Sequence, residues 1–419
     1  SYYTFGLGST QLEKTEPDVL SGDTFAQQVQ ALDEIFSGER DRSGSVQITL
    51  RNYLQNVAKF LLGEREGSIV LMEPDTGAIK ALWSYPSFDP NLVAYIDYDA
   101  AYAYLTDLQN DSRNPLLANT YQERYMPGST FKVLTSGIAL DEGVVATDTV
   151  FHDEQEFVPP QTDDPIQNYN GTVCGGDFAT VFARSCNIPF ARIALELGAD
   201  RFERGMARWG VGERVPIDLP GSAASTLGDL SDIEHNLPLL AIRGFGQNEV
   251  QMVPLHMAMV AATVANDGEM MKTYVVDRRL DHDGNVLNAT EPDVWKRPIS
   301  RQTAATLQEL MRGVAERGTA SCCIALENGI SVAAKTGTAQ LNGPGEPEQS
   351  HAWIVAYAPV EDPQYVVAVM LKGTNAEISA STGGRLAGPI AKAMLDEAFK
   401  VDPPPSLAPA STDPASVTP

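Results

Sequence analysis

An α/β domain, with a central antiparallel sheet built from both chain ends and a large, mainly helical region inserted between them, is predicted by three observations. Two strands read as a hairpin between Ser68 and Ser84, three more read as a meander between Ile330 and Lys372, and helical patterns dominate the roughly 240 residues between. Helices flanking the two strand groups can then cover the sheet.

Residues 1 to about 44 are mixed and polar, starting on a strand-like stretch from Tyr2 to Leu7, and read as a linker or the remnant of a preceding module. From Ser45 the pattern sharpens. Val46, Ile48 and Leu50 alternate as in a strand, and Leu54, Val57, Ala58 and Leu61 then recur at helical spacing. Ser68 to Glu73 and Ala78 to Ser84 flank Pro74-Asp75-Thr76-Gly77, whose residues suit a tight turn. Helices are expected over Ser129 to Leu140, Phe178 to Leu197, Leu255 to Asn266 and Arg301 to Arg317, with sparse strand signal among them. The meander comprises Ile330 to Gln340, His351 to Ala358 and Tyr365 to Lys372, separated by turns such as Asn342-Gly343-Pro344-Gly345. A last helix, Ala387 to Lys400, sets Ala391, Met394, Leu395 and Ala398 on one face. Residues 401 to 419 are rich in Pro, Ser, Ala and Thr, cannot bury enough apolar surface to order themselves, and are expected to be disordered. The core domain therefore runs from 45 to 400.

With 43% hydrophobic residues the chain can fill a substantial core. Its 55 acidic against 30 basic residues, a formal charge of −25, repel polyanions, so no nucleic-acid partner is expected. No run of about 18 apolar residues is present to span a membrane. Four cysteines form no CxxC pair and five histidines no HExxH, so neither a metal nor a cofactor is expected. Cys174 and Cys186 can close a disulfide in an oxidising compartment or remain two buried thiols.

The chemistry concentrates in three segments. Tyr125-Met126-Pro127-Gly128-Ser129-Thr130-Phe131-Lys132 joins a Pro-Gly turn to an apolar helix, placing Ser129 in its first turn with Lys132 on the same face. A serine hydroxyl needs a neighbouring base, and a lysine serves if burial lowers its pKa; Phe131, Val133, Leu134 and Ile138 supply apolar surroundings. Ser185-Cys186-Asn187 follows, offering a hydroxyl to relay a proton and an amide to hold a substrate amide. Lys335-Thr336-Gly337-Thr338 lies on the first meander strand, where a cation and two hydroxyls suit a carboxylate and Gly337 is expected to admit a ligand close to the backbone. Two imitations, Ser112-Arg113-Asn114 and Lys372-Gly373-Thr374, stand in the wrong order or context. His351 and Trp353 either border the cleft or pack at its edge.

S-x-x-K, S-x-N and K-T-G in this order resemble the signature of the penicilloyl-serine transferases. The likeness extends over 67–91, 244–268 and 351–359, and the chain is similar to class B penicillin-binding proteins of the penicillin-binding protein A type from roughly 45 to 400. The resemblance implies the penicillin-binding transpeptidase fold and a peptidoglycan D,D-transpeptidase inhibited by β-lactams. Ser129 would attack the bond between two terminal D-alanines of a donor stem peptide, with Lys132 as base, Ser185 passing the proton and Asn187 holding the donor amide. The backbone N–H groups of Ser129 and Thr338 would form the oxyanion hole, and Lys335, Thr336 and Thr338 would bind the terminal carboxylate. It further implies a single N-terminal membrane anchor upstream, an extracytoplasmic catalytic domain, and a separate glycan polymerase as partner. Since only about 44 residues precede the first core strand, a trimmed ectodomain is expected. Between Ser185 and Lys335 no E-x-x-L-N segment stands ready to position a hydrolytic water, as a β-lactamase would require.

Overall fold

The computed structural model describes residues 2–4, 7–24, 27, 43–230, 235–342, 349–374, 376–379 and 381–403. The Gly343-Pro344-Gly345 turn and the tail beyond 403 lie outside the described residues. Helices are α1 (Asn52–Leu62), α2 (Lys132–Asp141), α3 (Phe178–Ala183), α4 (Ile188–Arg208), α5 (Pro254–Ala265), α6 (Arg301–Arg317) and α7 (Gly388–Val401). The strands of the main sheet are β1 (Gly67–Met72), β2 (Ile79–Tyr85), β3 (Ala333–Gln340), β4 (Ser350–Ala358) and β5 (Tyr365–Leu371).

The sheet runs in the order β3-β4-β5-β1-β2, antiparallel throughout, so the hairpin from the start of the chain and the meander from its end meet at β1 and β5. Every residue of β1, β4 and β5 is buried. That explains their unbroken apolar reading: both faces are covered, so no polar alternation survives. One cover is α5, whose twelve residues are all buried and which packs on β1, β4 and β5. The other is the pair α1 and α7, which pack together and rest on β2 and β5 respectively. Leu54, Ala58 and Leu62 of α1 meet Ala391, Met394, Leu395 and Ala398 of α7 in one core.

Three expectations need correction. The strand at Ser45–Ile48 pairs with Val276–Leu280 in a separate three-stranded sheet, so the first core strand is β1. The run is short and largely exposed, with too few apolar positions to be buried on two faces. The single helix expected over Phe178 to Leu197 is two, α3 and α4, because Pro189 occupies the first turn of a new helix. The inserted region also carries short pairings the sequence signal missed, among them Val150–Glu154 with Cys174–Asp177 and Met270–Met271 with Val294–Lys296. Residues 7–24 pack onto the body: Glu16 grips the Arg279 guanidinium with two hydrogen bonds of 2.6 Å, and Gln11 meets the Tyr121 hydroxyl.

The packing of α7 is directly testable. Leu395 is fully buried, and Leu395→Ala should cost about 2–5 kcal/mol by transfer and cavity terms. A denaturant midpoint equal to that of the unaltered chain would contradict the packing of α7 against the sheet.

Candidate active site

Ser129 sits on a 3-10 turn, Gly128–Phe131, that runs directly into α2. Such a turn has three residues per revolution, so Ser129 and Lys132 eclipse each other along its axis. Gly128 has φ +54° and donates its N–H to the Gly246 carbonyl at 3.0 Å. A Cβ there would stand 2.6 Å from the Thr338 carbonyl, so only glycine lets the turn approach β3 so closely. Ser129 is half-buried, and among the described residues nothing holds its hydroxyl in a hydrogen bond.

Lys132 is fully buried, with the Phe190 and Phe245 rings 5.2 and 5.9 Å from its amine. Nζ donates to the Ser185 carbonyl at 2.8 Å and to Asn187 Oδ1 at 2.9 Å, with Ser185 Oγ at 3.4 Å. Burial, and then repulsion from Lys335, hold its pKa well below the usual lysine range. A neutral amine has two N–H groups and one lone pair. The two carbonyl oxygens take both hydrogens and leave the lone pair for a hydroxyl proton.

Lys335 reaches the same hydroxyl. Its Nζ donates to Ser185 Oγ at 2.8 Å and to the Thr336 carbonyl at 3.1 Å, leaving one donor unspent. Burial brings its pKa down to about 7. The Thr336 and Thr319 hydroxyls share a hydrogen bond of 2.5 Å, and Thr338 Oγ1 accepts the Gly383 N–H at 3.2 Å, which frees the Thr338 hydroxyl hydrogen to donate. Gln247 Nε2 reaches the Thr338 carbonyl at 3.4 Å from the edge of β3 that no strand among the described residues covers. In a strand a residue's C=O and N–H face the same edge, so the Thr338 N–H is turned to that open edge, beside the nucleophile turn.

The three sequence segments are therefore brought together, with one change of role. A Cβ on Gly337 would meet the Pro127 carbonyl at 2.6 Å and Thr130 Cγ2 at 3.0 Å. The glycine makes room for the nucleophile turn itself rather than for a ligand. Trp353 Nε1 donates to the Met126 carbonyl at 2.9 Å and so braces that turn from beneath. His351 accepts the Gly373 N–H and packs edge-on against Tyr125, which makes Lys372-Gly373-Thr374 a structural turn. Ser112-Arg113-Asn114 lies in an exposed turn held by Asp111.

Residues 67–396 match the family of penicillin binding protein transpeptidase domains. The peptidoglycan D,D-transpeptidase PbpA of Mycolicibacterium smegmatis is 34% identical over 95% of this chain and 81% of that protein. The chain belongs to the penicillin-binding protein transpeptidase family, in its class B branch. Among solved structures, a penicillin G acyl-enzyme complex of penicillin-binding protein A from M. tuberculosis superposes with a TM-score of 0.85 at 31% identity, covering 95% of this chain and 91% of that one. The D,D-transpeptidase domain of a peptidoglycan glycosyltransferase from Eggerthella lenta gives 0.81 at 28% identity, over 96% and 89%.

Within this family site, several supports escaped the sequence reading. Ser185 has φ +60°, and its turn is fixed from three directions. Cys186, the middle residue of S-x-N, is disulfide-bonded to Cys174, which closes the open question about these two cysteines. Thr319 N–H donates to the Ala183 carbonyl at 3.2 Å. Asn168, buried, accepts the N–H groups of Asn187 and Ile188 at 2.8 and 3.2 Å and donates to the Glu154 and Thr172 carbonyls at 2.8 and 3.1 Å. It thereby caps α4 and holds Asn187 where Lys132 needs an acceptor. An asparagine in a loop gives no sequence signal by itself, since turns use the same residue. Cys322 and Cys323 form a second disulfide, which the sequence reading did not foresee.

Two outcomes follow from this geometry. Asn168→Ala should slow penicillin acylation by about 10²-fold through misplacement of Asn187, and should move the acid limb of the rate profile, because Lys132 loses part of its support. A lowered melting temperature with an unmoved acid limb would reduce Asn168 to a stability role. The pH profile itself should be bell-shaped. It rises as Lys132 loses its proton, at a pH well below the ordinary lysine value, and falls as Lys335 loses its charge near pH 7. Lys335→Ala should cost about 10²-fold and remove the alkaline fall; an alkaline limb that persists in this variant would contradict the assignment.

Proposed function

We propose that this protein is a peptidoglycan D,D-transpeptidase that cross-links stem peptides through an acyl-enzyme on Ser129. The observation that carries the reading is the buried Lys132 amine, one turn along from Ser129, with hydrogens spent on the Ser185 carbonyl and Asn187 Oδ1. Ser129 Oγ attacks the carbonyl between the two terminal D-alanines of the donor, and its proton passes to Lys132. The tetrahedral oxyanion lies between the N–H groups of Ser129 and Thr338, where one such donor is worth about 10²–10³ in rate. Collapse breaks the C–N bond; the departing D-alanine nitrogen takes the proton from Lys132 by way of Ser185. Asn187 holds the donor amide through the amide hydrogen it does not give to the Gln167 carbonyl. Lys335, with the Thr336 and Thr338 hydroxyls, receives the terminal carboxylate.

An acceptor amine from a neighbouring stem peptide then attacks the ester, gives its proton to Lys132, and releases Ser129. A β-lactam acylates the same serine, but its opened ring stays attached and blocks the acceptor. The relatives' own names, peptidoglycan D,D-transpeptidase and penicillin G acyl-enzyme complex, support this chemistry. Among the described residues no helix is long and apolar enough to cross a membrane, and attachment through an upstream anchor, with a separate glycan polymerase as partner, belongs to this proposal.

The test is a mass measurement after incubation with penicillin, with the modified peptide mapped. A single adduct on Ser129 that persists for hours is expected, since an ester lacking a general base for water is slower to hydrolyse by about 10²–10⁴-fold. A D-Ala-D-Ala donor offered with excess amine should give the amide. Rapid recovery of free Ser129 would identify a β-lactamase, hydrolysed donor as the only product a carboxypeptidase, and an adduct elsewhere would refute the site.

A further inference from the structure

An open cleft of about 650 Å³ lies beside the nucleophile turn, lined by Gln122, Glu123, Arg124, Arg214, Gln251 and the backbone of 221–224. Three short antiparallel pairings frame it, Tyr125 with Met252, Arg214 with Ala224 and Thr226 with Gln251, so its walls are main chain held to main chain. Arg124 donates from Nε to Gln251 Oε1 at 2.9 Å and from Nη1 to the Ala224 carbonyl at 3.4 Å. Arg214 donates from Nη1 to the Ser222 carbonyl at 2.5 Å. Each guanidinium carries five N–H donors, so both are oriented and both keep donors unspent.

Neither arginine pairs with a carboxylate among the described residues. In a chain of 55 acidic and 30 basic residues, two guanidiniums thus share one cleft with no acidic partner among the described residues. Many of the other arginines do have such partners, among them Arg113 with Asp111, Arg192 with Glu154, Arg279 with Glu16 and Arg297 with Glu269. The one carboxylate in the lining, Glu123, takes the Tyr125 hydroxyl at 2.5 Å instead. Two planar forks and the Gln251 amide nitrogen at one opening form a receptor for a carboxylate. The cleft adjoins the nucleophile turn in sequence, since Arg124 and Tyr125 lead into Gly128 and Ser129. Tyr125 packs edge-on to His351 at 5.5 Å between ring centres, and His351 is paired in register with Ala339, the residue after Thr338 on the strand expected to carry the peptide.

We infer that the Arg124–Arg214 cleft binds a carboxylate of an acidic peptide, a subsite for the stem peptide beyond the reacting D-Ala-D-Ala end. The inference takes its occupant from the transpeptidase reading above. On a surface of net charge −25, an acidic peptide is repelled unless a local cationic site receives it, and this cleft supplies one.

Binding to the Ser129→Ala chain, where turnover cannot intervene, tests the inference by calorimetry. The probes are a synthetic pentapeptide ending in D-Ala-D-Ala with a free carboxylate on its acidic residue, and the same peptide with that carboxylate amidated. The acidic peptide should bind about tenfold more tightly, the equivalent of about 1.4 kcal/mol. The gap should shrink as salt is raised and vanish in the Arg124→Gln/Arg214→Gln variant. Equal affinity for the two peptides, which needs no arginine variant and hence no assumption about its folding, overturns the inference, as does a gap that survives in the double variant. Inorganic phosphate that displaces the acidic peptide as well as free acidic peptide does would also overturn it, leaving only an anion site. Failure of penicillin to label Ser129 in the unaltered chain is a separate result, which strikes the transpeptidase reading and leaves the two-peptide comparison standing.

Discussion

Two buried lysine amines converge on one serine hydroxyl, and the rest of the structure serves that arrangement. Lys335 Nζ lies 2.8 Å from Ser185 Oγ and Lys132 Nζ lies 3.4 Å from it. Two ammonium groups so placed, out of water, cannot both keep their protons cheaply. The repulsion is resolved unequally: Lys132 has two carbonyl acceptors suited to a neutral amine, and Lys335 retains charge up to about pH 7. Burial thus suits Lys132 to the base role, and Lys335 to the carboxylate-binding role, that the proposed mechanism gives them.

Holding three distant segments in that register requires main chain to lie against main chain. Gly128 against the Thr338 carbonyl, Gly337 against the Pro127 carbonyl, and Gly246 against the Gly128 carbonyl would each put an added Cβ between 2.3 and 2.6 Å from backbone oxygen. Such contacts tolerate no side chain, and they fix the nucleophile turn to the sheet edge more firmly than side-chain packing could. Burial alone does not create a site. Ser225 and His256 also form a serine–histidine pair at 2.8 Å, with the His256 Nε2–H given to the Trp209 carbonyl, but both residues are fully buried. Burial drops that histidine to about 4, and the pair braces the fold without access to substrate.

The sheet, its helical covers and the three motif segments were legible because each leaves a local mark: apolar runs, turn residues, or a fixed spacing of chemically specific groups. The supports were not legible, because their meaning lies in long-range partners. Asn168 reads as an ordinary turn residue until its carbonyl is seen on the N–H groups of Asn187 and Ile188. Gly337 reads as an opening for a ligand until Pro127 is found in the space. The break between α3 and α4 was available in Pro189 and was masked by the apolar period running through it. Arg124 and Arg214 carry no signal at all in sequence, since their significance is that no carboxylate among the described residues meets them.

The central claim is that burial holds the Lys132 amine well below the ordinary lysine range, so that it can serve as a base. Its direct measurement is an NMR titration of the lysine side-chain Cε resonances, with Lys132 assigned by its loss in Lys132→Met. The account predicts a Lys132 signal that titrates far below the ordinary lysine value of about 10.4. A Lys132 resonance that stays in its protonated position up to pH 10 would contradict it, and the base would have to be sought elsewhere.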